Sequence, residues 1–329
     1  AQLLAGNCQL ITHEQLDQEL IPFFLEAQES ELLNAFIRPG RTRWQVIFGI
    51  NSAPDYGDGS GRPDWFEDIR VRQAVALCTN RQQIVDTVLY GYSFIPDSFV
   101  HLTHPLYAED IRSWPFNSIV GNNLLDEVGL LDTNFDGIRE DPGSGADFRI
   151  SLITSQDKTE RAAAELLRES LVACGIDLLI ESLPDPIRYV AGEENRISSR
   201  RFDLALTSTA TGHIPACDQF ATWQISGPEE EQNPLSEQPY AGWQGKNQSG
   251  WSNPDYDAAC NAALNAIPGT VEHSLFHKQA QLIFAENLPI LPLYFNPKTT
   301  ATAPTIPYIN NNASQNSELW NLFAIDGVR

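Results

Sequence analysis

Apolar positions recur at helical spacing most clearly in residues 66–91, FEDIRVRQAVALCTNRQQIVDTVLYG. Val71, Ala74, Val75 and Cys78 form one stripe behind Asp68, whose carboxylate can accept from the free N–H groups of a first helical turn. Asn80 and Gln83 make a capping-box-like pair that restarts the chain, and Ile84, Val85, Val88 and Leu89 form a second stripe that Gly91 ends. Arg70, Arg72 and Arg81 fall mainly off these stripes, where surface charges are usually solvated.

Upstream, the pattern is mixed. Residues 1–4 read as a helix end closed by Gly6, residues 8–11 as a short strand, and residues 13–36 as an acidic amphipathic segment. Residues 44–50, WQVIFGI, are rich in β-formers and predict a buried strand. Residues 51–68 are too dense in Gly, Pro and Asp for regular structure and read as a connection or surface loop. Downstream, residues 117–130 predict a short helix and residues 148–153 a strand. Asp157, with Glu160, caps a helix carrying Ala163, Leu166, Leu167, Leu171 and Cys174. With strands at 176–183 and 201–206, the alternation argues for an α/β unit. No periodicity holds from 207 to 252, a length that is uncommon for a loop without a function. Asn253 and Pro254 then open a helix, Thr270 opens another, residues 289–295 predict an apolar strand, and residues 299–329 form an extended Asn-rich tail.

At 329 residues the chain exceeds one ordinary core, so two packed units are expected. No run approaches the ~20 apolar residues of a membrane span. A net charge of -22 disfavours nucleic acid, whose phosphates it would repel. The start, AQLLAGNCQL, carries no signal-peptide pattern and is expected to follow a removed upstream part. The 5 cysteines lack metal-binding spacing, which favours an oxidising compartment with one or two disulfides over reduced buried thiols. Cys217 with Cys260 is the first pairing, tying the long loop to the helix after it; Cys8 with Cys78 is the second, leaving Cys174 free.

Asp132, Asn134 and Asp136 match the first half of a calcium loop, D-x-N-x-D-G, with the Ile138 carbonyl and Glu140 as further ligands. The twelfth position is Gly143 rather than the bidentate Glu, so Asp141 or water would have to substitute; the alternative is a loop of Asx-turns. No cofactor is required, and a structural calcium is the one candidate. Catalytic patterns are weaker. His273 and His277 in HSLFH lack the Glu of a zinc-protease motif and read as a solvated or packed pair, while His101 and His104 lie in a loop without a third ligand nearby in sequence. Trp223, Trp243 and Trp251 cluster in the long loop, as ligand-stacking faces or as core.

The residues 66–91 stretch, with NNLLDEVGLLDTNFDGIRE, RFDLAL, GWSNPDYDAAC and AENLPILPLYF in that order, resembles the C-terminal part of the family 5 extracellular solute-binding proteins, the oligopeptide-, dipeptide- and nickel-binding receptors of ABC importers. Asn80 stands where that family usually has Asp. The resemblance implies an α/β, periplasmic-binding-protein-like fold of the two-lobed type II, mainly its C-terminal lobe. Residues 1–65 would belong to the first lobe and crossover, 66–296 to the second lobe, and 297–329 would return to the first. It implies a monomeric, non-catalytic receptor, periplasmic or extracellular and anchored as a lipoprotein, that captures a peptide or other small solute and delivers it to a membrane permease. In oligopeptide receptors the strand matching RFDLAL leads to a Trp and an Asp that holds the peptide amine. Here Thr209 stands near the first position and Thr211 or Gly212 near the second, so a sugar or an opine-like solute stays open beside peptide. Thr209, Thr211, His213 and Trp223 are the expected ligand contacts, and the arginines of 66–91 are expected to anchor helix packing or hinge carboxylates. The alternatives are an extracellular hydrolase and a non-transport sensor on the same fold.

Overall fold

In the computed structural model, which describes residues 1–13, 16, 18–53, 56, 63–184, 188, 190–309 and 319, the chain runs β1 (Leu10–Ile11), α1 (Ile21–Glu29), β2 (Asn34–Phe48), α2 (Ile69–Cys78), α3 (Arg81–Val88), α4 (Ser118–Glu127), β3 (Arg149–Thr154), α5 (Lys158–Val172), β4 (Asp177–Ser182), β5 (Leu204–Ala210), α6 (Pro254–Asn265), α7 (Val271–Asn287) and β6 (Ile290–Thr302). The helix starts follow from local capping chemistry. Asp68 accepts from Arg70 N, Asn80 from Gln83 N, Asn117 from Val120 N, Asp157 from Thr159 and Glu160 N, Asn253 from Asp255 and Tyr256 N, and Thr270 from His273 N. At Asn80 the reciprocal half of the capping box comes from elsewhere: its backbone N–H donates to Ser170 Oγ on α5 at 3.3 Å.

The strands form one mixed sheet in the order β1-β6-β2-β5-β3-β4. β2 lies antiparallel to both β5 and β6, and β3 lies parallel to β4 and β5. The β2 and β6 strands are longer than their apolar ends predict. Residues 34–39 and 297–302 become strand by pairing with each other, Asn34 opposite Thr302 and Arg38 opposite Lys298. The pair begins beside a small apolar cluster of Leu3, Phe24, Ala27, Leu33 and Ala301, and ends in the main core, which takes in Trp44 to Phe48 of β2 and the helix stripes of α2, α3 and α5. Gly49 lets β2 leave the sheet, since a Cβ there would meet Phe202 O at 2.2 Å.

Several expectations are corrected. Residues 2–6 are turns rather than a helix, because the backbone bonds close over short loops. The strand β5 starts and ends later than RFDLAL, reaching Ala210 by pairing with Thr42 of β2. Cys78 is bonded to Cys174, not to Cys8: Cys78 ends α2 inside the main core facing α5, whereas Cys8 is a free thiol beside the small cluster. Cys217 and Cys260 form the second disulfide, joining the long loop to α6. Most of the loop over 54–62 and of the tail beyond Ile309 lies outside the described residues.

The arginines of the opening helices differ sharply. Arg70 is exposed and pairs with its own cap, Asp68. Arg72 and Arg81 are buried, and they stitch sequence-distant carbonyls together. Arg72 donates to Phe66, Glu67 and Asn287 O; Arg81 donates to Pro96 O at 3.1 Å, Pro292 O at 3.0 Å and Trp114 O at 2.7 Å, with Asp97 3.8 Å away. Burial lowers the pKa of both guanidiniums to about 10, which leaves them charged at neutral pH.

Candidate functional site

The two faces of β2 open onto different cavities. Because side chains alternate along a strand, Arg43, Gln45 and Ile47 share one face while Thr42 and Trp44 point to the other. On the Arg43 face lies a cavity of about 1060 Å³, walled by Arg38, Arg41 and Arg43 of β2, the 99–106 loop, residues 211–216 after β5, and the 269–274 entry of α7. A cavity of about 890 Å³ on the other side of β2 mixes Glu19, Asp157 and Glu160 with Arg41, Lys158 and Lys298. A third, of about 320 Å³, is polar and lined by Thr207 to Thr209, Asn195, Ser198 and Asn247.

The largest cavity is distinctive in charge. Three arginines and His101, His104, His213 and His273 line it, and no Asp or Glu is among the described lining residues, in a chain whose net charge is -22. Arg43 is 1% exposed and is held by Gln45 Oε1 at 2.9 Å and 2.6 Å, by Phe99 O and by Gln219 Oε1 at 3.4 Å. Desolvation by burial lowers its pKa to about 9, so it remains cationic at neutral pH. Arg41 and Thr211 clasp each other: the guanidinium donates to Thr211 O, and the Thr211 N–H and Oγ1 donate to Arg41 O at 2.9 Å and 3.0 Å.

Every histidine of the chain except His13 meets at this place. His104 Nε2 lies 2.9 Å from His213 O, and the His273 and His277 rings pack edge-on with centroids 4.6 Å apart. His277 is fully buried one turn beneath His273, and neither of its ring nitrogens has a hydrogen-bond partner. Burial, then the neighbouring His273 and His104, lowers the His277 pKa to about 4; burial, then His104, does the same to His101. These two rings are therefore neutral at physiological pH.

Of the expected contacts, Thr211 and His213 line the largest cavity. Thr209 lines the smallest one instead, because β5 continues past Leu206 and sets it opposite Arg43 in the sheet. Trp223 lies in the short 3-10 turn Thr222–Gln224 and packs against the main core, lining none of the three cavities; the long loop folds back on Asn247, whose side chain donates to Phe220, Ala221 and Trp251 O. The arginine wall was not anticipated. The signal for it is RPGRTRW, a basic run in an otherwise acidic chain.

In the metal-loop candidate, carboxylate oxygens of Asp132, Asp136 and Glu140 lie within 4.8 Å of one another. Asp132 accepts from Phe135 N and Gly137 N, Asn134 from Asp136 N, and Asp136 from Ile138 N, so the Ile138 N–H itself fixes a carboxylate. Asp141 does not join: its Oδ2 accepts from Gly143 N, Ser144 N and Ser144 Oγ in the following turn.

Residues 1–231 match the model of the bacterial extracellular solute-binding proteins, family 5 Middle. The oligopeptide-binding protein AppA of Bacillus subtilis is 32% identical over 117 residues, 34% of this chain and 21% of the relative. Di/tripeptide-binding protein 3 of Pseudomonas aeruginosa is 23% identical over 297 residues, covering 89% of this chain and 46% of the relative. The chain thus spans about half the length of the longer-matching curated relatives. Among solved structures, AppA from Bacillus subtilis in complex with a nonapeptide is similar with a TM-score of 0.70 at 18% identity, covering 100% of this chain and 57% of that one. NikA from Brucella suis in complex with Fe(III)-EDTA is similar with a TM-score of 0.71 at 19% identity, covering 99% and 59%. The α/β fold is that of the two-lobed periplasmic binding proteins.

Proposed function

The chain belongs to the bacterial extracellular solute-binding proteins of family 5, and we propose that it builds a ligand-binding wall of a receptor for a small anionic solute, or for a peptide held through its carboxylate. The receptor acts outside the cytoplasmic membrane and hands its ligand to the permease of an ABC importer. It binds without catalysing a reaction, as a monomer anchored by lipid.

The observation that carries this reading is the cavity lined by Arg38, Arg41 and Arg43 with His213 and His273 opposite and no carboxylate in its described lining. A guanidinium presented in a partly desolvated site matches a carboxylate in geometry as well as in charge. An ammonium group has no such partner there. The nonapeptide and the Fe(III)-EDTA held by two structural neighbours both bear carboxylates, which supports the same ligand class. Periplasmic relatives support the location.

Calorimetry on the full-length protein tests this with three ligand sets: peptides with free or amidated C-termini, di- and tricarboxylates, and neutral oligosaccharides. The expected result is binding confined to carboxylate-bearing ligands, weakened by salt and lowered about tenfold or more by Arg41→Gln. Binding of a neutral sugar that Arg41→Gln leaves unchanged overturns the reading.

A further inference from the structure

The geometry points to a calcium site in the 132–140 loop, remote from the arginine-walled cavity and independent of what that cavity binds. Three carboxylates converge there, with oxygens of Asp132, Asp136 and Glu140 all within 4.8 Å of one another. Such clusters are often no more than solvated charge; the buried member distinguishes this one. Glu140 is 8% exposed, and its Oε1 has no hydrogen-bond partner, while its Oε2 accepts from Thr133 N at 2.7 Å and Thr133 Oγ1 at 3.0 Å. A buried carboxylate oxygen left unpaired beside two further carboxylates is unfavourable on both counts, through lost solvation and through like-charge repulsion. A divalent cation removes both penalties.

Neighbouring cations are committed elsewhere. Arg139 is directed to Asp126 Oδ1, Asn122 Oδ1 and the carbonyls of Leu130 and Cys174, and Arg149 pairs with Asp177 and Asp147, reaching Asp136 only as a weaker through-space charge. Within the loop, backbone N–H groups of Phe135, Gly137 and Ile138 hold the Asp132 and Asp136 carboxylates in place, and each accepting oxygen retains a second lone pair for a metal. The donors are all hard oxygens, with no imidazole or thiolate, which selects calcium or magnesium over transition metals. Calcium is favoured because it tolerates an irregular, water-completed shell, whereas magnesium demands near-ideal octahedral geometry. The twelfth loop position, Gly143, supplies no bidentate ligand and Asp141 is engaged in its own turn, so water fills the shell and the affinity falls in the weak extracellular range, about 10⁻⁴ M. Bridges of Glu140 to Leu131 and Asp147 couple the loop to the segments leading from α4 into β3, so the ion is structural.

The test is calorimetric titration of the chelator-treated, full-length protein with calcium chloride and with magnesium chloride, accompanied by thermal unfolding in each ion. One calcium-selective site and a calcium-dependent rise in Tm are expected, with both lost or weakened at least tenfold in Asp136→Asn and in Glu140→Gln, and both retained in Asp141→Asn. Asp136 is exposed, so that variant reports on binding even if the buried Glu140 substitution perturbs folding. Absence of calcium heat and of a Tm shift in the unmutated protein overturns the site. So does equal binding of magnesium, or unchanged calcium affinity in Asp136→Asn and Glu140→Gln.

Discussion

His277→Leu should flatten the acid side of the stability profile. In the folded chain the His277 ring is fully buried with both nitrogens unpartnered, and burial followed by His273 and His104 lowers its pKa to about 4 from 6.5. Unfolding restores the ordinary value, so between those pH values the unfolded state binds a proton that the folded state refuses. Stability from this residue is complete above pH ~6.5 and is lost as pH falls towards ~4. Linkage gives a loss of about 2 kcal/mol at pH ~5 and about 3 kcal/mol near pH ~4. Leucine fills a similar volume and removes two unpaired polar atoms, so the change at pH ~7.5 should stay within about 1.5 kcal/mol in either direction. Urea unfolding of both proteins at several pH values measures the difference, which should shift by about 2 kcal/mol in favour of the variant on acidification to pH ~5. Parallel profiles, or an imidazole titrating near pH ~6.5 by NMR in the folded protein, would refute the reasoning.

Two further substitutions test what holds the fold. Arg81→Ala strands the carbonyls of Pro96, Trp114 and Pro292 in the core and should destabilise by about 3–5 kcal/mol in denaturant unfolding, whereas a surface arginine such as Arg70 should cost under about 1 kcal/mol. Replacing Cys217 and Cys260 together by Ala opens a closed loop of separation 43 and should lower stability by about 4 kcal/mol on the chain-entropy estimate, with the same loss seen on reduction of that bridge.

What could be read from the sequence was local. The caps at Asp68, Asn80, Asn117, Asp157, Asn253 and Thr270 work within one turn of themselves, so residue type and spacing reveal them. The outer halves of β2 and β6 were hidden, since residues 34–39 are strand through their pairing with residues 297–302. The burial of Arg72 and Arg81 depends on carbonyls more than two hundred residues away, at Asn287 and Pro292, which no helical stripe can announce. The same holds for the site. His101, His104, His213 and His273 come from three separate segments, and each taken singly reads as an ordinary loop or helix histidine. Thr211 and His213 stand just after β5 and line the large cavity, whereas Thr209 lies within the strand and lines the small one, because β5 runs on to Ala210.

The central claim, that ligand is met at the arginine wall beside Thr211, is tested most directly by measuring the affinity of the full-length receptor for one carboxylate ligand in Thr211→Trp and Thr209→Trp. Thr211 lines the large cavity and Thr209 the small one. Thr211→Trp should abolish binding and Thr209→Trp should leave it within about threefold, a difference under about 1 kcal/mol. Full affinity in Thr211→Trp with loss in Thr209→Trp would contradict it.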